Sequence, residues 1–487
     1  MRSFTFKTVN AHNYLYGQSN KLLVYMPPHL KEAMNCKTNG KLKYYDRKAI
    51  FLKKMFESKN EGNNSSSNKT ISIHNNEEFF INYNESNVMN NIVFLDQILL
   101  EVTQKCNLDC GYCIYGKYYE YDKTRKNKNL DVKIAKTLLD HILEIKIKND
   151  VFNNITISFY GGEPLLNFSF IEEIVLYLKE NYENMGFVFE YSMTTNGVFL
   201  LDKHKYLIEN NFRLSVSLDG NTTNNQFRIF KNGNNSFHEV YNNLKFLSIN
   251  FPEYFRDNVS ILTVFHKLND LGSLLLYFKE EFGKTPHISS IQTAGVKDTV
   301  KQDFFNTFFI QSDESKKDSL ETILELKTKH PVFKRIKDIL SKEIDIVSTD
   351  FNSFINGRKK TSNTHLPAGT CSPFELRLFL TVEGWILPCE HIDFRFRLGV
   401  CTPNKVRLNL NAIEKFYNSI HSQHRSICNI CFFKENCSVC MLNMEYNSYG
   451  KPFCTEFKSE EDFIKYLSDA VNDMESFPEI TDTILNE

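Results

Sequence analysis

Ile98-Leu-Leu-Glu-Val-Thr103, followed by Gln-Lys-Cys106-Asn-Leu-Asp-Cys110-Gly-Tyr-Cys113, is the stretch that decides how this chain is interpreted. Its first six residues are mostly aliphatic or β-branched, which predicts a buried strand. The three cysteines are close enough in sequence for one loop to fold around an iron–sulfur cubane, and three ligands leave one iron open. Zinc or a chance grouping is the alternative, although structural zinc sites usually have four protein ligands.

Composition describes a large folded protein. The 487 residues are 41% hydrophobic and 24% charged, which excludes global disorder and allows roughly three domains. With 58 Lys+Arg against 59 Asp+Glu, the formal net charge is −1, which argues against a protein that mainly binds nucleic acid. We find no run of 18 apolar residues and no secretory signal, so we expect a cytoplasmic protein with no membrane partner. The 12 cysteines are clustered, which favours metal ligation over disulfides.

Strand-like runs alternate with amphipathic helices from about residue 96 to 296, which predicts βα units around a parallel sheet. The predicted strands are Ile98–Thr103, Ile155–Tyr160, Val188–Met193, Arg213–Ser217, Asn258–Phe265 and Ile288–Thr293. The predicted helices lie around Val132–Lys148, Phe168–Asn184, Lys203–Asn210, Phe237–Ile249 and Leu271–Phe282. This α/β pattern predicts a full or partial barrel. Active sites of such barrels gather at the carboxyl ends of the strands, where the three cysteines lie.

Three further regions flank this predicted barrel. Residues 1–95 predict a small α+β module, with β-like runs at 4–9, 14–16, 21–26, 70–74 and 79–83 and a helix near 48–58. Residues 297–370 predict a helical bridge. Residues 371–487 contain a cysteine-rich module followed by an acidic helical tail.

The spacing of the first cysteine cluster, with Tyr112 as its aromatic residue, resembles the signature of the radical S-adenosylmethionine enzymes. The resemblance implies a TIM-like partial (β/α)6 barrel, S-adenosylmethionine, and a [4Fe-4S] cluster held by Cys106, Cys110 and Cys113. Other motifs resemble the cofactor-binding positions of that family: Tyr112, Gly161, Gly162, Glu163, Thr195, Asn196, Ser215, Ser217 and Arg228. The family resemblance implies that Glu163 meets the amino group of the cofactor and Arg228 its carboxylate.

Seven cysteines near the carboxyl terminus resemble the SPASM extension of radical S-adenosylmethionine enzymes that modify peptides and proteins. Such extensions carry two auxiliary [4Fe-4S] clusters, which would make three clusters in all. By resemblance, the first auxiliary cluster is held by Cys371, Cys389 and Cys440. The second is held by Cys428, Cys431, Cys437 and Cys454. Only two residues precede Cys440 where the family has three. The first cluster lacks a fourth ligand, and Cys401 is the nearest unassigned thiol. Paired zinc knuckles are the alternative for this module.

The same resemblance implies the reaction. A 5′-deoxyadenosyl radical abstracts hydrogen from the substrate, the auxiliary clusters accept an electron or hold the substrate, and a flavodoxin or ferredoxin supplies electrons. Residues 1–95 resemble the winged-helix-like module of maturases, which binds the leader of a ribosomally made precursor peptide (RiPP) as an edge strand. The expected reaction is an oxidative crosslink, as a thioether, carbon–carbon or ether bond.

Two other functions remain open from the sequence. An anaerobic sulfatase-maturing enzyme forms formylglycine with the same clusters, and its base follows the second cysteine of the extension. Glu390 follows Cys389 here, so Glu390 and Asp219 are the candidate catalytic bases. A non-catalytic zinc scaffold is the third reading, and it predicts no cleavage of S-adenosylmethionine.

Overall fold

The structure is a computed structural model. It describes residues 3–17, 22–26, 83–120, 126–293, 295–309, 324, 331–340, 346–348, 370–434, 437, 439–446, 452–454 and 457–486. The predicted helix at 48–58, the predicted strand at 70–74 and most of the one at 79–83 lie outside the described residues.

Three antiparallel strands begin the described chain: β1 (Ser3–Lys7), β2 (Asn13–Gly17) and β3 (Leu22–Met26). A later strand, β10 (Ile346–Ser348), pairs in parallel with the free side of β3. Residues 346–348 were predicted to belong to a helical bridge, and the structure corrects this to a strand. The bridge is helical at Lys301–Phe308 and Pro331–Asp338. The winged-helix-like character of the amino-terminal module stays a prediction.

Six parallel strands in sequence order form the main sheet. They are β4 (Gln97–Thr103), β5 (Asn154–Gly161), β6 (Val188–Thr195), β7 (Arg213–Ser217), β8 (Val259–Phe265) and β9 (His287–Ser290). The predicted partial (β/α)6 barrel is therefore confirmed. Strand β9 ends earlier than predicted because Ile291 turns into an aromatic cluster with Tyr119 and Phe304.

Helices that cover the barrel follow its strands. Their bounds are Val132–Lys148, Phe168–Tyr182, Leu200–Glu209, Phe237–Asn250, Pro252–Asn258 and Leu271–Phe282. The sequence of Val132–Lys148 explains why this segment is a helix. Asp131 caps its first turn by accepting from the Lys133 backbone, and Leu138, Leu139 and Ile142 lie buried at helical spacing. A further helix, Glu85–Phe94, packs beside it.

The cysteine-rich region adds four strands to the same sheet. Strand β11 (Leu378–Leu380) pairs in parallel with β4, and β12 (Trp385–Leu387), β13 (Gly399–Thr402) and β14 (Lys405–Leu408) continue it antiparallel. The sheet order is β14-β13-β12-β11-β4-β5-β6-β7-β8-β9. The carboxyl-terminal region therefore continues the barrel sheet.

The remaining elements complete the carboxyl-terminal region. They are the helices Leu410–Ile430, Glu460–Ser476 and Pro478–Asn486, and the short pair β15 (Glu445–Tyr446) and β16 (Pro452–Phe453). In the part of the chain that the structure describes, no helix has the length and apolar character needed to cross a membrane.

Glu475 ties the amino-terminal sheet to the helix Glu460–Ser476. Its carboxylate accepts hydrogen bonds from Asn10 Nδ2 at 3.0 Å and from Tyr14 Oη at 2.8 Å, and lies 2.8 Å from His12 Nδ1. The rings of Phe4 and Phe463 pack edge to face beside this contact, 5.9 Å apart. The first and last parts of the described chain therefore pack as one unit.

Glu475→Ala is expected to loosen the amino-terminal sheet. Each lost hydrogen bond to a charged group is worth about 1.5–3 kcal/mol, so we expect faster amide hydrogen exchange in β1 and β2. Glu461→Ala, an exposed change in the first turn of the same helix, is the control. Equal exchange in β1 for both variants would contradict this role of Glu475.

Candidate active site

The first three cysteines lie in the loop after β4, which we call the cluster loop (residues 104–116). Its backbone is held by two bonds to a neighbouring segment, from Asp109 N to Ile229 O at 2.7 Å and from Gly111 N to Phe227 O at 2.9 Å. Burial raises the pKa of the Cys106 thiol to about 11, with contributions from nearby Glu163 and Cys113. All three thiols lie in this loop, and Cys113 N donates to Cys110 O at 3.1 Å, so the loop turns tightly between these two cysteines.

This thiol set fits an iron–sulfur cluster. Three thiols come from one loop, and the amide of Asn196 lies 3.8 Å from Cys106 Sγ. Within the described residues, no three histidine, cysteine or carboxylate side chains converge on a single metal ion. The thiolates of a cubane bind different irons, so a cluster does not require such convergence.

Gly161 and Gly162 let the end of β5 approach the end of β4. Gly161 has φ +136°, and a Cβ there would lie 2.3 Å from Thr103 O. A Cβ on Gly162 would lie 2.1 Å from Lys105 O. Only glycine fits at such separations, so these positions fix how the chain after β5 lies against the cluster loop.

Glu163 is fully buried and points into the protein. Its carboxylate accepts from Thr195 Oγ1 and from Asn196 N, both at 2.7 Å, and from Leu165 N at 3.1 Å. It thus joins the end of β5 to the end of β6. Its contact with the cofactor amino group stays a prediction.

The stability of the fold is expected to fall as pH rises through the titration of Glu163. Burial raises its pKa to about 7 from an ordinary 4.5, against opposing hydrogen bonds from Asn196, Thr195 and Leu165. Between these values the folded state keeps a proton that the unfolded state has lost, so the contribution is full below 4.5 and is lost through about 7. Urea unfolding across this range should show the advantage of the wild type over Glu163→Gln shrinking as pH rises. An advantage independent of pH would contradict the assignment.

The structure separates the other predicted cofactor positions. Asn196 donates to Asn107 Oδ1 at 2.7 Å and so contacts the cluster loop. Ser215 Oγ instead lies 3.2 Å from Ser260 Oγ and lines the opening at the amino-terminal end of the barrel strands. Ser217 is half-buried at the end of β7, nearer the carboxyl ends.

Asp219 lies at the centre of a buried polar network. Its Oδ1 is 3.1 Å from Arg228 Nε and accepts from Val264 N at 2.9 Å, and its Oδ2 accepts from Tyr112 Oη. The Arg228 guanidinium lies 5.4 Å from the centre of the Tyr112 ring. Asp219 has no exposed surface. The structure therefore places this candidate base, together with Arg228 and Tyr112, in a network beneath the cluster loop.

His266 belongs to the same network and was missed from the sequence. Its Nε2 lies 3.9 Å from Asp219 Oδ2, and its ring stacks on Tyr112 at 6.1 Å. Burial lowers the pKa of His266, against the opposing charge of Asp219. A signal existed, because His266 directly follows β8 at the carboxyl end of a parallel strand.

The carboxyl-terminal cysteines gather in two groups. Burial raises the pKa of Cys389 to about 12, and the thiol of Cys440 is a neighbour that raises it further. Cys440 in turn has Cys371 as a neighbouring thiol. Burial likewise raises the pKa of Cys428 to about 12, with three neighbouring thiols: Cys437, Cys454 and Cys431. We call Cys371, Cys389 and Cys440 the first cysteine group and the other four the second cysteine group.

Cys401 lies apart from both groups. It is buried on β13, and its thiol donates to Ile134 O at 3.3 Å. This contact places it against the helix Val132–Lys148. Its thiol contacts are with the carbonyls of Ile134 and Thr402, and the fourth ligand of the first auxiliary cluster stays unassigned.

A family model for the radical SAM superfamily matches residues 100–271, which include β4, the cluster loop and the barrel up to β8. This stretch is a radical SAM domain. The superfamily implies S-adenosylmethionine and a [4Fe-4S] cluster, which the three thiols of the cluster loop fit.

Relatives of the radical SAM domain differ in function. An uncharacterised protein of Methanocaldococcus jannaschii is 36% identical over 160 residues, 32% of this chain and 51% of that protein. A cysteine-type anaerobic sulfatase-maturating enzyme of Clostridium novyi is 26% identical over 394 residues, 75% of this chain and 94% of that enzyme. The radical SAM cyclopropyl synthase TigE of Paramaledivibacter caminithermalis is 27% identical over 199 residues, 37% of this chain and 41% of TigE.

The chain spans about half the length of the first of these relatives. A solved structure of anSMEcpe with bound AdoMet has a TM-score of 0.50 at 16% identity, covering 80% of this chain and 96% of that one. This likeness shows a shared fold that extends beyond the radical SAM domain.

A partly open cavity lies between the radical SAM domain and the β11–β12 hairpin. Ile114 and Tyr115 of the cluster loop form one wall, and Phe379, Trp385 and Glu390 contribute to the opposite one. Glu390 Oε1 accepts from Arg377 Nη1 at 2.8 Å. Its Oε2 is buried and has no hydrogen-bond partner among the residues that the structure describes. Asp219 does not line this cavity, so the two candidate bases occupy different places.

Proposed function

We propose that this chain is a radical SAM maturase that installs an oxidative crosslink in a ribosomally made precursor peptide. The observation that carries the proposal is the cavity lined by Ile114 and Tyr115 of the cluster loop on one side and by Glu390, the residue after Cys389, on the other. A substrate side chain held there lies between the site of radical formation and the first cysteine group. Such a position suits removal of a hydrogen atom followed by transfer of an electron to an auxiliary cluster.

The chain's own residues bind and orient in this scheme. When bound, S-adenosylmethionine and its cluster supply the radical that removes hydrogen from an unactivated carbon. The glycines at 161 and 162 and the amide of Asn196 shape the cofactor site next to the cluster loop. Phe379 and Trp385 exclude water from the cavity. Glu390 Oε2 accepts a proton from the substrate, while Arg377 holds the carboxylate in place.

The two cysteine groups would hold the two auxiliary [4Fe-4S] clusters. Support comes from the closeness of these thiols, since members of both groups pack in one apolar cluster: Cys389, Cys428, Cys440 and Cys454. A flavodoxin or ferredoxin would supply the electron that starts each turnover.

The amino-terminal sheet would bind the leader of the precursor. A peptide that adds as a strand needs a free sheet edge. Strand β10 already covers β3, whereas β1 is the outer strand at the opposite edge of the described sheet. The leader is therefore proposed to pair with β1.

Anaerobic co-expression with each short open reading frame beside the gene tests this proposal. Mass spectrometry should show one peptide that loses pairs of hydrogen atoms, with fragmentation locating the joined residues. A protein that cleaves S-adenosylmethionine but changes none of these peptides would overturn the crosslinking function.

A sulfatase-maturating function is the second candidate. It is favoured by the relative of Clostridium novyi, of which this chain covers 94%, and by the carboxylate after Cys389. In this case a cysteine or serine of a sulfatase peptide becomes formylglycine, which an aldehyde-specific hydrazide label detects. No aldehyde in a cysteine or serine peptide under conditions that cleave S-adenosylmethionine would exclude it.

Glu390→Gln is expected to slow either reaction because glutamine cannot accept the substrate proton. Loss of a general base lowers turnover by about 10²- to 10⁴-fold, while cleavage of S-adenosylmethionine continues. Glu383→Gln, which alters another carboxylate of the same cavity, is the comparison and should have a smaller effect. Equal losses of turnover in both variants would show that Glu390 lines the cavity but is not the base.

A further inference from the structure

Tyr417 lies in the helix Leu410–Ile430 beside the first cysteine group. The side chain is 1% exposed. Tyr83, whose ring packs against Tyr417, donates its hydroxyl to Ser372 Oγ at 3.4 Å, next to Cys371. The helix also contacts Met441–Asn443, which directly follows Cys440. The Tyr417 hydroxyl is buried and has no hydrogen-bond partner in the described part of the chain. Burial of a hydroxyl without a partner is costly, and a group bound by the neighbouring thiols would satisfy this donor.

The surrounding residues fix the ring of Tyr417. Tyr83 packs edge to face against it, with ring centres 5.4 Å apart. Asn418 holds Tyr83 in place, accepting from the Tyr83 backbone N at 2.8 Å and donating to its carbonyl at 2.9 Å. The neighbouring Phe416 lies 5.6 Å from the same ring. The direction of the hydroxyl is therefore set by packing.

We propose that Tyr417 donates a hydrogen bond to the iron–sulfur cluster of the first cysteine group and raises its reduction potential. The inference rests on the proposed function, because it requires that auxiliary cluster. Reduction adds negative charge to a cluster, so a donor aimed at its sulfur atoms stabilises the reduced form more than the oxidised form. Tyr417 thus makes the first cysteine group the better electron acceptor. It is a positioning residue, because it acts on the substrate only through the cluster.

Tyr417→Phe removes the donor and keeps the ring. The full-length protein is reconstituted anaerobically, and the first cluster is identified as the paramagnetic signal lost in Cys389→Ala. We expect unchanged iron content and a lower potential for that signal. A tenfold fall in the equilibrium constant for reduction corresponds to about 59 mV for one electron. An exchangeable-proton coupling to the reduced cluster should disappear as well.

Tyr191→Phe is the matched control. Tyr191 on β6 is 4% exposed, and its hydroxyl also has no hydrogen-bond partner among the described residues, but its charged neighbours are Glu183 and Tyr206. Its removal should leave the potential and the proton coupling unchanged. An unshifted potential in Tyr417→Phe, or the same shift in both variants, would overturn the inference.

A second substitution covers the case in which Tyr417→Phe does not fold. 3-Fluorotyrosine at position 417 keeps the shape of the ring and makes the hydroxyl a stronger donor, so the potential should rise. A potential that stays or falls would overturn the inference. Failure of the proposed function is separate. If Cys389→Ala loses neither iron nor a paramagnetic signal, no cluster belongs to these thiols and this inference falls. Peptide modification with an unshifted potential overturns only the role of Tyr417, and a shifted potential without peptide modification overturns only the crosslinking function.

Discussion

Replacing Cys106, Cys110 and Cys113 together with alanine is expected to abolish both cleavage of S-adenosylmethionine and modification of any substrate. The three thiols share one loop and are the proposed ligands of the catalytic cluster, so their loss should remove the cluster on which radical formation depends. Since enzymes accelerate such difficult reactions by about 10⁶-fold or more, we expect less than about one thousandth of the wild-type rate. Release of 5′-deoxyadenosine, followed by chromatography, is the measurement.

Cys401→Ala is the control for this experiment. Cys401 is a buried thiol outside all three cysteine sets, and its contact is with Ile134 O. The variant should keep its iron and its activity. Residual cleavage at the wild-type rate in the triple variant would show that the cluster loop does not hold the catalytic cluster.

Asp219→Asn is expected to destabilise the barrel strongly. Asp219 has no exposed surface, and Arg228, whose side chain is 9% exposed, is its ionic partner. Removing one charge leaves a buried guanidinium without compensation, which costs about 3–5 kcal/mol. Denaturant unfolding of the folded apoprotein measures this change.

Two further variants test whether the loss arises from the unpaired charge. Asp257→Asn breaks the surface ion pair between Asp257 and Arg256. The Arg256 side chain is 69% exposed and that of Asp257 is 59% exposed, so the stability should barely change. Asp219→Asn combined with Arg228→Met removes both charges and should recover part of the loss. A double variant that is no more stable than Asp219→Asn alone would contradict the explanation.

Periodicity predicted the barrel well. The strand Arg213–Ser217 and the helices Val132–Lys148 and Leu271–Phe282 have the predicted bounds. In these segments the burial pattern follows directly from the local sequence. The division of the carboxyl-terminal cysteines into two ligand sets comes from the family resemblance and stays a prediction.

Contacts between distant segments were not predictable in the same way. Strand β11 has only three residues and pairs with β4 across more than 270 positions, so no local pattern reveals the pairing. The inward orientation of Glu163 and the burial of Asp219 depend on donors supplied by other strands, such as Asn196 N and Val264 N. A motif identifies such residues as important, but only the tertiary structure shows what their oxygens contact.

The pairing of β11 with β4 limits how this protein can be divided. If the chain were trimmed after residue 296, β4 would lose its neighbour and expose the backbone groups of a seven-residue apolar strand. Such an edge recruits other strands, so the isolated radical SAM fragment should aggregate when expressed alone. A chimaera that exchanges the cysteine-rich region between relatives would have to transfer β11 with a matching β4. The reason is that the backbone hydrogen bonds between these two strands join the radical SAM domain to the cysteine-rich region.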